Sequence, residues 1–476
     1  MSDSDALPLS LPQPLPPPDS PVNGRVSFWY AATGIPSTRP ALTGDTTADV
    51  VIVGAGYTGL WTAYYLKKAQ PALDIVVLEA RFAGYGASGR NGGWLTNSIT
   101  GGRGQYVRTH GRAVTGRFQE LLNGTVDEVI AVAAAERIDA DIIKGGELNV
   151  ARNPAQLARL HAWAAEEEQW PEGGAQLLDA GASAGRVTVT GALGGLYQPH
   201  CARLQPAKLV RGLARAVQSL GVRLYEDTPV TEIRTGTAVS PRGTVRCRHV
   251  LRATEGFTAN LRGSHRDWLP MNSSMIVSEP LTAAAWEEIG WNGFDAVADM
   301  AHAYMYAQRT ADGRIALGGR GVPYLFGSRT DTDGATAPAT VDRLAALLYE
   351  MFPAARGTRI EHAWSGVLGV PRDWKATVGL DPATGVGWAG GYVGTGVAAS
   401  NLAGRTLADL VLGTDSELIR MPWVNRQVRR WEPEPLRWLG VSAMYKAYYA
   451  ADRRENRSRT AATSPLARAA DLVAGR

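Results

Sequence analysis

A glycine-rich turn between two short apolar segments constrains the fold of this chain more than any other feature. Residues 50–53 (VVIV) form an apolar, β-branched run typical of a buried parallel strand, and the turn GAGYTG follows at residues 54–59. The pattern predicts a helix over residues 60–69 and a second strand over residues 74–78. Strand, turn, helix and strand in this order predict a βαβ unit of a parallel sheet.

Each glycine of this turn has a physical role in binding a dinucleotide. Gly54 permits the tight turn, Gly56 lets backbone amides approach a pyrophosphate, and Gly59 lets helix and strand pack closely. Glu79 follows the second strand, 20 residues after Gly59, where its carboxylate can accept hydrogen bonds from ribose hydroxyls. The order predicts a dinucleotide site, and a glycine turn without a ligand is the alternative. The first part of the predicted site is completed by Tyr57, Thr58, Ala80 and Arg81.

A second glycine-rich segment, GYGASGRNGG at residues 84–93, distinguishes between two kinds of dinucleotide. Its small and polar residues suit neither a helix nor a packed strand, but they offer amides and hydroxyls along a long, rigid ligand. A nicotinamide dinucleotide does not need such an additional loop, so the segment favours a flavin. The residues predicted to bind it are Gly86, Ala87, Ser88, Arg90, Asn91, Gly92 and Gly93.

Three segments of the chain resemble the family of FAD-dependent glycine and D-amino-acid oxidases, most closely its γ-glutamylputrescine-oxidase-like amine oxidases. They are VVIVGAGYTGLWTAYYL, VVLEARFAGYGASGRNGG and GWAGGYVGTGVAASNLAGRTLADLVLG, and the resemblance extends over roughly residues 29–452. The resemblance implies bound FAD. It also implies that the strand around Val230 passes the adenine, and that the turn after Ala253 lies near the phosphates.

The late segment GGYVGTG at residues 390–396 lies between a predicted strand and a predicted helix, and so presents a second helix N-terminus. Negative charge develops around N1 and the C2 carbonyl of a flavin that accepts hydride, and a helix N-terminus stabilises such charge. We expect Gly394, Thr395 and Gly396 to have this role, with Gly391 and Val397 beside them. A glycine-rich helix cap without a ligand is the alternative.

The resemblance implies oxidation of a primary or secondary amine. Hydride leaves the carbon that bears the neutral amine, the imine hydrolyses to a carbonyl compound, and dioxygen reoxidises the flavin to give hydrogen peroxide. This chemistry does not require a strong base, and no Ser/His/Asp or paired-carboxylate constellation is found in the sequence. A flavin monooxygenase, or a dehydrogenase with a different electron acceptor, is the alternative.

Candidates for substrate-binding residues come from the clearest hairpin of the chain, residues 304–318 around the turn TADG. Tyr304 and Tyr306 share one predicted strand face and are expected to line an aromatic pocket, with ordinary sheet packing as the alternative. Arg320 is a candidate for binding a substrate carboxylate, and Lys375 for promoting the reaction with dioxygen. A surface arginine and a solvated lysine are the alternative interpretations.

The FAD is expected to be bound non-covalently, and no metal ion is predicted. Cys201 and Cys247 do not match the late-chain cysteine that tethers flavin in the sarcosine-oxidase branch, and the segment at residues 84–93 contains no histidine. No Cys/His grouping has the spacing of a zinc site. Two cysteines do not make a disulfide framework, and we expect reduced thiols in the cytoplasm.

Composition and charge exclude several other classes of protein. The chain has 476 residues, 45% of them apolar, a net charge of +4 and a pI of about 9.0. Basic residues gather near the C-terminus, but no nucleic-acid motif accompanies them, so a solvated helix face is expected. No signal peptide and no apolar segment of membrane-spanning length is found in the sequence.

The resemblance implies an α/β (α+β) fold class, with a glutathione-reductase-like FAD-binding Rossmann domain interleaved with an antiparallel-sheet substrate domain. Periodicity also predicts a helix over residues 111–140 and one strand over residues 245–253. The predicted divisions are a disordered proline-rich tail at 1–26, the FAD-binding domain at 27–110, 195–260 and 361–420, the substrate domain at 111–194 and 261–360, and a C-terminal helical appendage at 421–476.

Overall fold

The computed structural model describes residues 20–330, 332–458 and 460–474. Most of the predicted proline-rich tail, residues 1–19, lies outside the described residues. The helices are α1 (Phe28–Thr33), α2 (Tyr57–Ala69), α3 (Arg103–Ala135), α4 (Pro154–Glu167), α5 (Ala180–Ala184), α6 (Pro206–Ser219), α7 (Ala283–Ile289), α8 (Pro338–Met351), α9 (Gly396–Leu412), α10 (Leu436–Ser458) and α11 (Pro465–Ala474).

The strands come from the whole length of the described chain. In chain order they are β1 (Val22–Asn23), β2 (Thr46–Thr47), β3 (Val50–Val53), β4 (Ile75–Leu78), β5 (Trp94–Thr96), β6 (Glu147–Ala151), β7 (Gln176–Asp179), β8 (Gly194–Gln198), β9 (Cys201–Arg203), β10 (Arg223–Tyr225), β11 (Glu232–Arg234), β12 (Thr237–Ser240), β13 (Gly243–Arg246), β14 (His249–Arg252), β15 (Leu269–Ser278), β16 (Ala296–Asp299), β17 (Tyr306–Arg309), β18 (Ile315–Gly319), β19 (Ile360–Val370), β20 (Thr377–Asp381) and β21 (Val386–Gly390).

A six-stranded sheet in the order β10–β4–β3–β14–β21–β20 forms the dinucleotide-binding half of the fold. Its first five strands are parallel, and β20 closes the edge antiparallel to β21. All four residues of β3 and all four of β4 are buried, as expected for central parallel strands that helices cover on both faces. Helix α2 packs against α6 and α9. The predicted βαβ unit is confirmed.

A nine-stranded mixed sheet in the order β1–β19–β15–β18–β17–β16–β6–β8–β7 forms the other half. Six of its eight strand pairings are antiparallel, and the predicted hairpin is its β17–β18 pair. Strands β8 and β19 belong to this sheet, although the predicted boundaries put most of both into the FAD-binding domain. The chain crosses between the sheets inside these segments, and apolar patterning does not reveal which sheet a strand joins.

Three sequence expectations differ from the structure in their bounds. Residues 245–253 do not form one strand, because β13 pairs with β12 and β2 in a four-stranded sheet while β14 enters the six-stranded sheet. Helix α3 begins at Arg103 and has a non-helical residue at Gly111, where φ is +78°. Within the predicted tail, Val22 pairs with His362 of β19. In the described part of the chain, no helix combines the length and apolarity needed to cross a bilayer.

Candidate active site

One cavity of about 1480 Å³ runs from the glycine turn of the six-stranded sheet to the face of the nine-stranded sheet. Both halves of the fold therefore contribute to a single site. Nineteen of the predicted cofactor-binding residues line this cavity: Gly54, Gly56, Tyr57, Thr58, Glu79, Ala80, Arg81, Gly86, Ala87, Ser88, Arg90, Asn91, Gly92, Val230, Ala253, Gly394, Thr395, Gly396 and Val397.

The glycine turn has the space and the backbone conformation that a diphosphate needs. Gly54 has a φ of +106°, and a Cβ on it would lie 2.6 Å from the carbonyl oxygen of Ala253. A Cβ on Gly56 would lie 2.9 Å from Oγ of Ser88, the atom that accepts a 2.8 Å hydrogen bond from the Tyr57 amide. A side chain at Gly54 would therefore collide with the chain that follows β14, and one at Gly56 would fill the approach to the N-terminus of α2.

Glu79 lies at the end of β4, at the place predicted for the ribose-binding acid. Its carboxylate accepts hydrogen bonds from the amides of Ala55 (2.8 Å) and Arg81 (3.0 Å). Burial raises the pKa of Glu79, and those two amides oppose the increase. A carboxylate offers about four lone-pair sites, so both oxygens can still accept bonds from a ligand in the cavity.

The segment at residues 84–93 is fixed from outside by aromatic side chains. The indole nitrogens of Trp29 and Trp364 donate 2.8 Å hydrogen bonds to the backbone oxygens of Asn91 and Arg90. The Asn91 side chain accepts a 2.8 Å bond from the Gly93 amide, and the Arg90 guanidinium lies over the ring of Tyr85, 4.3 Å from its centroid. These contacts hold a loop of small residues in one shape along the cavity.

The late glycine-rich segment at residues 390–396 brings the N-terminus of α9 to the same cavity. Oγ1 of Thr395 lies 2.8 Å from Oγ1 of Thr100, and Gly394 has a φ of +112° that favours glycine. The amides of Gly391 and Tyr392 donate to the carboxylate of Glu255 at 3.0 and 3.2 Å. Glu255 itself lines the cavity, and burial raises its pKa to about 7.

Three predicted cofactor residues, Gly59, Gly93 and Gly391, are packing positions and do not line the cavity. A Cβ on Gly59 would lie 2.0 Å from the carbonyl oxygen of Gly54, so there is no room for a side chain between this helix and the glycine turn. A Cβ on Gly93 would lie 2.0 Å from Nε2 of Gln308, and one on Gly391 2.3 Å from Pro371.

Lys375 is not brought to the cavity. Its Nζ lies 3.8 Å from Asp373 Oδ2 and 5.5 Å from the centroid of the Tyr106 ring. Arg426 binds the same aspartate and donates to the backbone oxygens of Lys375 and Ala376, which anchors this loop away from the cavity. Burial and the charge of Arg426 lower the pKa of Lys375.

Tyr306 forms part of the cavity wall where the nine-stranded sheet meets the segment at residues 84–93. Its hydroxyl lies 2.8 Å from Ser273 Oγ, and its ring makes an edge contact with Trp94 at 6.2 Å. Cβ atoms built on Gly92 and Gly318 would lie 2.7 and 2.3 Å from the ring, so both glycines make room for it. Burial raises the pKa of Tyr306, which keeps the phenol protonated at neutral pH.

Tyr304 and Arg320 also line the cavity. Tyr304 precedes β17 instead of lying within it, and it is 41% exposed. Arg320 is buried, and its Nη1 has no hydrogen-bond partner among the described residues. An arginine remains charged when buried, so an unpartnered guanidinium nitrogen favours binding of an anion.

A buried carboxylate that was not among the predicted site residues, that of Glu147 on β6, lies in the same cavity. It accepts hydrogen bonds from Asn149 Nδ2 (2.8 Å) and Thr96 Oγ1 (3.0 Å), and burial raises its pKa. Glu147 and Asn149 alternate with the apolar Leu148 and Val150, so two polar residues share one strand face. This alternation of polar and apolar residues is the sequence pattern from which Glu147 could have been predicted to face a site.

His302 lines the cavity but already has partners. Its Nε2 lies 2.9 Å from Glu455 Oε1, and the backbone amides of His302 and Ala303 donate to Asp452. His302, Asp452 and Glu455 place potential ligand atoms within 4.8 Å of one another. These bonds join the loop before β17 to α10.

The groups that line the cavity fit FAD. Glycine positions that a Cβ would obstruct, two helix N-termini and a carboxylate after β4 follow one cavity that is long enough to reach the other sheet. Neither cysteine lines this cavity. Arginine, tyrosine and glutamate side chains of the nine-stranded sheet and its loops also line this cavity.

The chain is similar in sequence to known amine-oxidising enzymes. It is 30% identical over 397 residues to gamma-glutamylputrescine oxidoreductase of Escherichia coli, which covers 81% of this chain and 89% of the relative. It is 26% identical over 398 residues to sarcosine oxidase subunit beta of Rhodobacter capsulatus, with 76% and 86% covered.

The fold is similar to that of glycine oxidase from Geobacillus kaustophilus. The TM-score is 0.67 at 20% sequence identity, and the match covers 80% of this chain and 99% of that one. The family model "DAO: FAD dependent oxidoreductase" matches residues 49–410, which include the glycine-rich segments, the six-stranded sheet and every strand of the nine-stranded sheet except β1. The chain therefore belongs to the DAO family of FAD-dependent oxidoreductases, which act on amines and amino acids.

Proposed function

We propose that this enzyme is an amine oxidase that removes hydride from the carbon bearing a primary or secondary amine and passes the electrons to dioxygen. The products are an imine, which hydrolyses to a carbonyl compound, and hydrogen peroxide. When bound, FAD accepts the hydride, and the chain supplies binding, orientation and charge. The similarity to gamma-glutamylputrescine oxidoreductase supports an amine substrate, a polyamine conjugate among them.

The observation that carries this proposal is the continuity of the cavity. The glycine turn at Gly54, the segment at residues 84–93 and the N-terminus of α9 lie along the cavity that also exposes Tyr306 and Arg320. A substrate that contacts these two side chains is therefore beside the ligand that the glycine loops hold. Hydride transfer needs this direct proximity of donor and acceptor.

The chain's own residues have separable tasks in this reaction. Arg320 binds an anionic group of the substrate and so fixes its orientation. Tyr306, protonated and held by Ser273, offers a rigid aromatic wall next to Gly92. The N-terminus of α9 at Thr395 lines the cavity, and its positive dipole end would stabilise the negative charge of a reduced flavin bound there.

We propose non-covalent binding of FAD and a cytoplasmic location. Cys201 is fully buried on β9, Cys247 is also outside the cavity, and neither cysteine is in a disulfide. His302 lines the cavity, but its Nε2 is engaged by Glu455. Precipitation of the protein with acid should therefore release all of the FAD into the supernatant.

The test is anaerobic mixing of the purified holoenzyme with primary amines, secondary amines, polyamines and amino acids. Loss of the visible flavin absorbance with one amine, followed by recovery and peroxide formation on admission of air, is the expected result. Recovery with an added quinone or dye but not with air would overturn the oxidase proposal in favour of a dehydrogenase. Loss of absorbance with NADPH, and with none of the amines, would favour a monooxygenase.

A further inference from the structure

We propose that the exposed side of α10 and the adjacent segment at residues 322–329 dock on the surface of an anionic lipid bilayer. These exposed residues are called the docking face. Apolar side chains at its N-terminal end enter the boundary between headgroups and acyl chains, and the basic side chains farther along α10 bind lipid phosphates. The inference is separate from the proposed amine oxidation, because it concerns where the enzyme is held and not what it oxidises.

The apolar part of the docking face is a cluster of exposed side chains. Twelve large apolar side chains are exposed in the described part of the chain, and five of them lie here, each between 38% and 61% exposed. The rings of Phe326 and Trp438 make an edge contact, with centroids 6.3 Å apart. Single exposed apolar side chains are ordinary, but a cluster of them marks an interaction surface. The five are Val322, Phe326, Leu436, Trp438 and Leu439.

The basic part of the docking face is a series of four exposed side chains, Lys446, Arg453, Arg454 and Arg457. Among the described residues none of the four has a carboxylate oxygen within 4.0 Å. The two acids of α10, Asp452 and Glu455, are turned toward the protein, where they bind the loop at His302. The exposed side of this helix is therefore uniformly positive.

Helical spacing puts the apolar and the basic side chains on one side of α10. Leu439, Lys446 and Arg453 follow one another at intervals of seven residues, or about two turns, and Leu436 and Arg457 are separated by three such intervals. The opposite side of the helix packs against the fold through Val441, Met444, Tyr445, Tyr448 and Ala451. The exposed stripe thus changes from apolar to basic along the helix.

One carboxylate joins the segment at residues 322–329 to the start of α10. Glu434 accepts hydrogen bonds from the Tyr324 hydroxyl (2.5 Å), the Gly327 amide (3.0 Å) and the Trp438 amide (3.1 Å). Phe326 and Trp438 are therefore held next to each other before any partner arrives. A surface that is fixed in this way loses little conformational freedom on docking.

Charge complementarity favours an anionic bilayer as the occupant of the docking face. Each Lys or Arg near an anionic membrane surface attracts it by about 1 kcal/mol, and the cytoplasmic leaflet carries such a surface. Tryptophan is enriched at the boundary between headgroups and acyl chains, which is where Trp438 is placed when α10 lies flat on the bilayer. The 23 residues of α10 extend for about 34 Å, so its leucines and its arginines contact different lipids.

A second copy of the chain suits the docking face less well. A two-fold axis would pair the docking face with the same surface of another copy. Because α10 has no exposed acid, its arginines would find no opposite charge on the partner's α10. The apolar cluster alone would be satisfied, and the four basic side chains would remain without partners.

The test is cosedimentation of the purified holoenzyme with sucrose-loaded vesicles, with the bound fraction measured from the flavin absorbance. One set of vesicles is phosphatidylcholine alone, and the other contains about one-third phosphatidylglycerol. We expect at least about 10-fold tighter binding to the anionic vesicles, and release when the salt concentration is raised from about 0.1 to about 0.5 M. Absence of binding to the anionic vesicles at about 0.1 M salt would overturn the proposal.

A pair of double variants tests the basic part of the docking face. Lys446→Gln with Arg453→Gln should weaken binding to the anionic vesicles by at least about 10-fold. Arg246→Gln with Arg248→Gln removes the same number of exposed charges near the turn between β13 and β14, and should change binding by less than about 2-fold. Equal losses in the two double variants would show a general effect of net charge and would contradict the docking face.

A pair of single variants tests the apolar part. Leu439→Ser should weaken binding by about 5-fold, because less apolar surface enters the bilayer. Ile35→Ser changes a side chain that is equally exposed but lies just after α1, and should have no effect. Flavin content shows whether each variant is folded.

The mass of the enzyme in solution distinguishes the membrane from a second copy. The proposal expects the same mass for the wild type and for Leu439→Ser in analytical ultracentrifugation without vesicles. A wild-type dimer that Leu439→Ser dissociates would show that the docking face is an interface between copies, and the membrane proposal would then be wrong.

Discussion

Glu255 joins loops that three distant parts of the chain bring to the cavity. Its carboxylate accepts hydrogen bonds from the amides of Gly391 and Tyr392, and its own φ is +45°. A Cβ on Gly369 would lie 2.5 Å from Glu255 Oε2, so β19 also presses against this group. A single carboxylate thus holds the loop that begins α9 against the nine-stranded sheet.

The buried state of Glu255 predicts a pH-dependent stability. Burial raises its pKa from 4.5 to about 7, so its contribution is fully present below about pH 4.5 and is lost as the pH rises through 7. The free energy of unfolding falls by about 3 kcal/mol over this pH range. The amide in Glu255→Gln does not titrate. The Tm of this variant should therefore rise relative to the Tm of the wild type as the pH increases from about 5 to about 8. Thermal unfolding of both proteins across this range measures the difference, and a constant difference would contradict the assignment.

Gly56 is the residue at which a side chain should abolish flavin binding. In Gly56→Val the new Cβ would lie 2.9 Å from Ser88 Oγ, and the branched side chain would fill the approach to the N-terminus of α2. We expect at least about 10-fold weaker FAD binding, equivalent to ~1.4 kcal/mol, and a colourless purified protein. The ratio of visible to ultraviolet absorbance measures this.

Gly104→Val is the matched control for that substitution. Gly104 lies in the exposed first turn of α3, and a Cβ there meets nothing within 4 Å. This variant should retain its full flavin content. A yellow Gly56→Val protein would show that the phosphates do not lie at the glycine turn.

At the level of elements, the βαβ unit was predictable because local sequence determines it. The strand over residues 50–53 is confirmed at both ends, and the second strand begins at Ile75, one residue later than predicted. Helix α2 begins at Tyr57, earlier than the predicted residue 60, because the helix starts within the glycine turn itself. Glycine positions, apolar runs and the acid after β4 all act over a short range.

Elements whose partners are distant in sequence were not predictable in the same way. Residues 245–253 have the apolar pattern of one strand, but their pairing partners, Thr46 and Val50, lie in different sheets. Tyr304 continues the alternation of Tyr306 but lies outside β17. Each of these outcomes depends on which distant segment approaches, and no pattern within the segment encodes that.

Glu455 is a buried carboxylate that, together with Asp452 and Tyr449, joins helix α10 to the substrate side of the fold. Glu455 is 1% exposed and accepts bonds from His302 Nε2 (2.9 Å), Arg159 Nη1 (2.9 Å) and the Ser464 amide (2.8 Å). Its hydrogen bonds from the Ser464 amide and His302 lower its pKa against the opposing effect of burial. The predicted C-terminal appendage therefore supports the loop that carries Tyr304 into the cavity.

Glu455→Ala should accordingly destabilise the protein by about 3 kcal/mol, because it leaves Arg159 and His302 without their buried partner. Arg454→Ala, at an exposed neighbouring position on α10, should change the stability by less than about 0.5 kcal/mol. Unfolding in urea, followed by tryptophan fluorescence, compares the two variants. Equal stability of both would show that α10 is not held through Glu455.

At the scale of the whole molecule, the cavity is the place where the two sheets are joined. Its lining comes from segments as far apart as residues 21–25, 78–98, 253–261, 298–306 and 392–400. The side chain of Gln308 on β17 donates a 2.7 Å hydrogen bond to the Gly92 oxygen, which links the substrate sheet directly to the cofactor loop. A ligand in this cavity contacts both halves, so its binding free energy contributes to the stability of the entire fold.

Removal and replacement of the flavin test this coupling. FAD present at 100 times its Kd should stabilise the deflavinated protein by about 2.7 kcal/mol, because it binds the folded state and not the unfolded one. Glu79 and Val230 line the cavity, and we propose that they contact the adenosine half of FAD. FMN lacks that half, so at equal concentration it should raise the Tm less than FAD does. Gly56→Val should show a much smaller increase than the wild type with either ligand. If FMN and FAD raised the wild-type Tm equally, the strand ends at Glu79 and Val230 would not be binding the adenosine half of the cofactor.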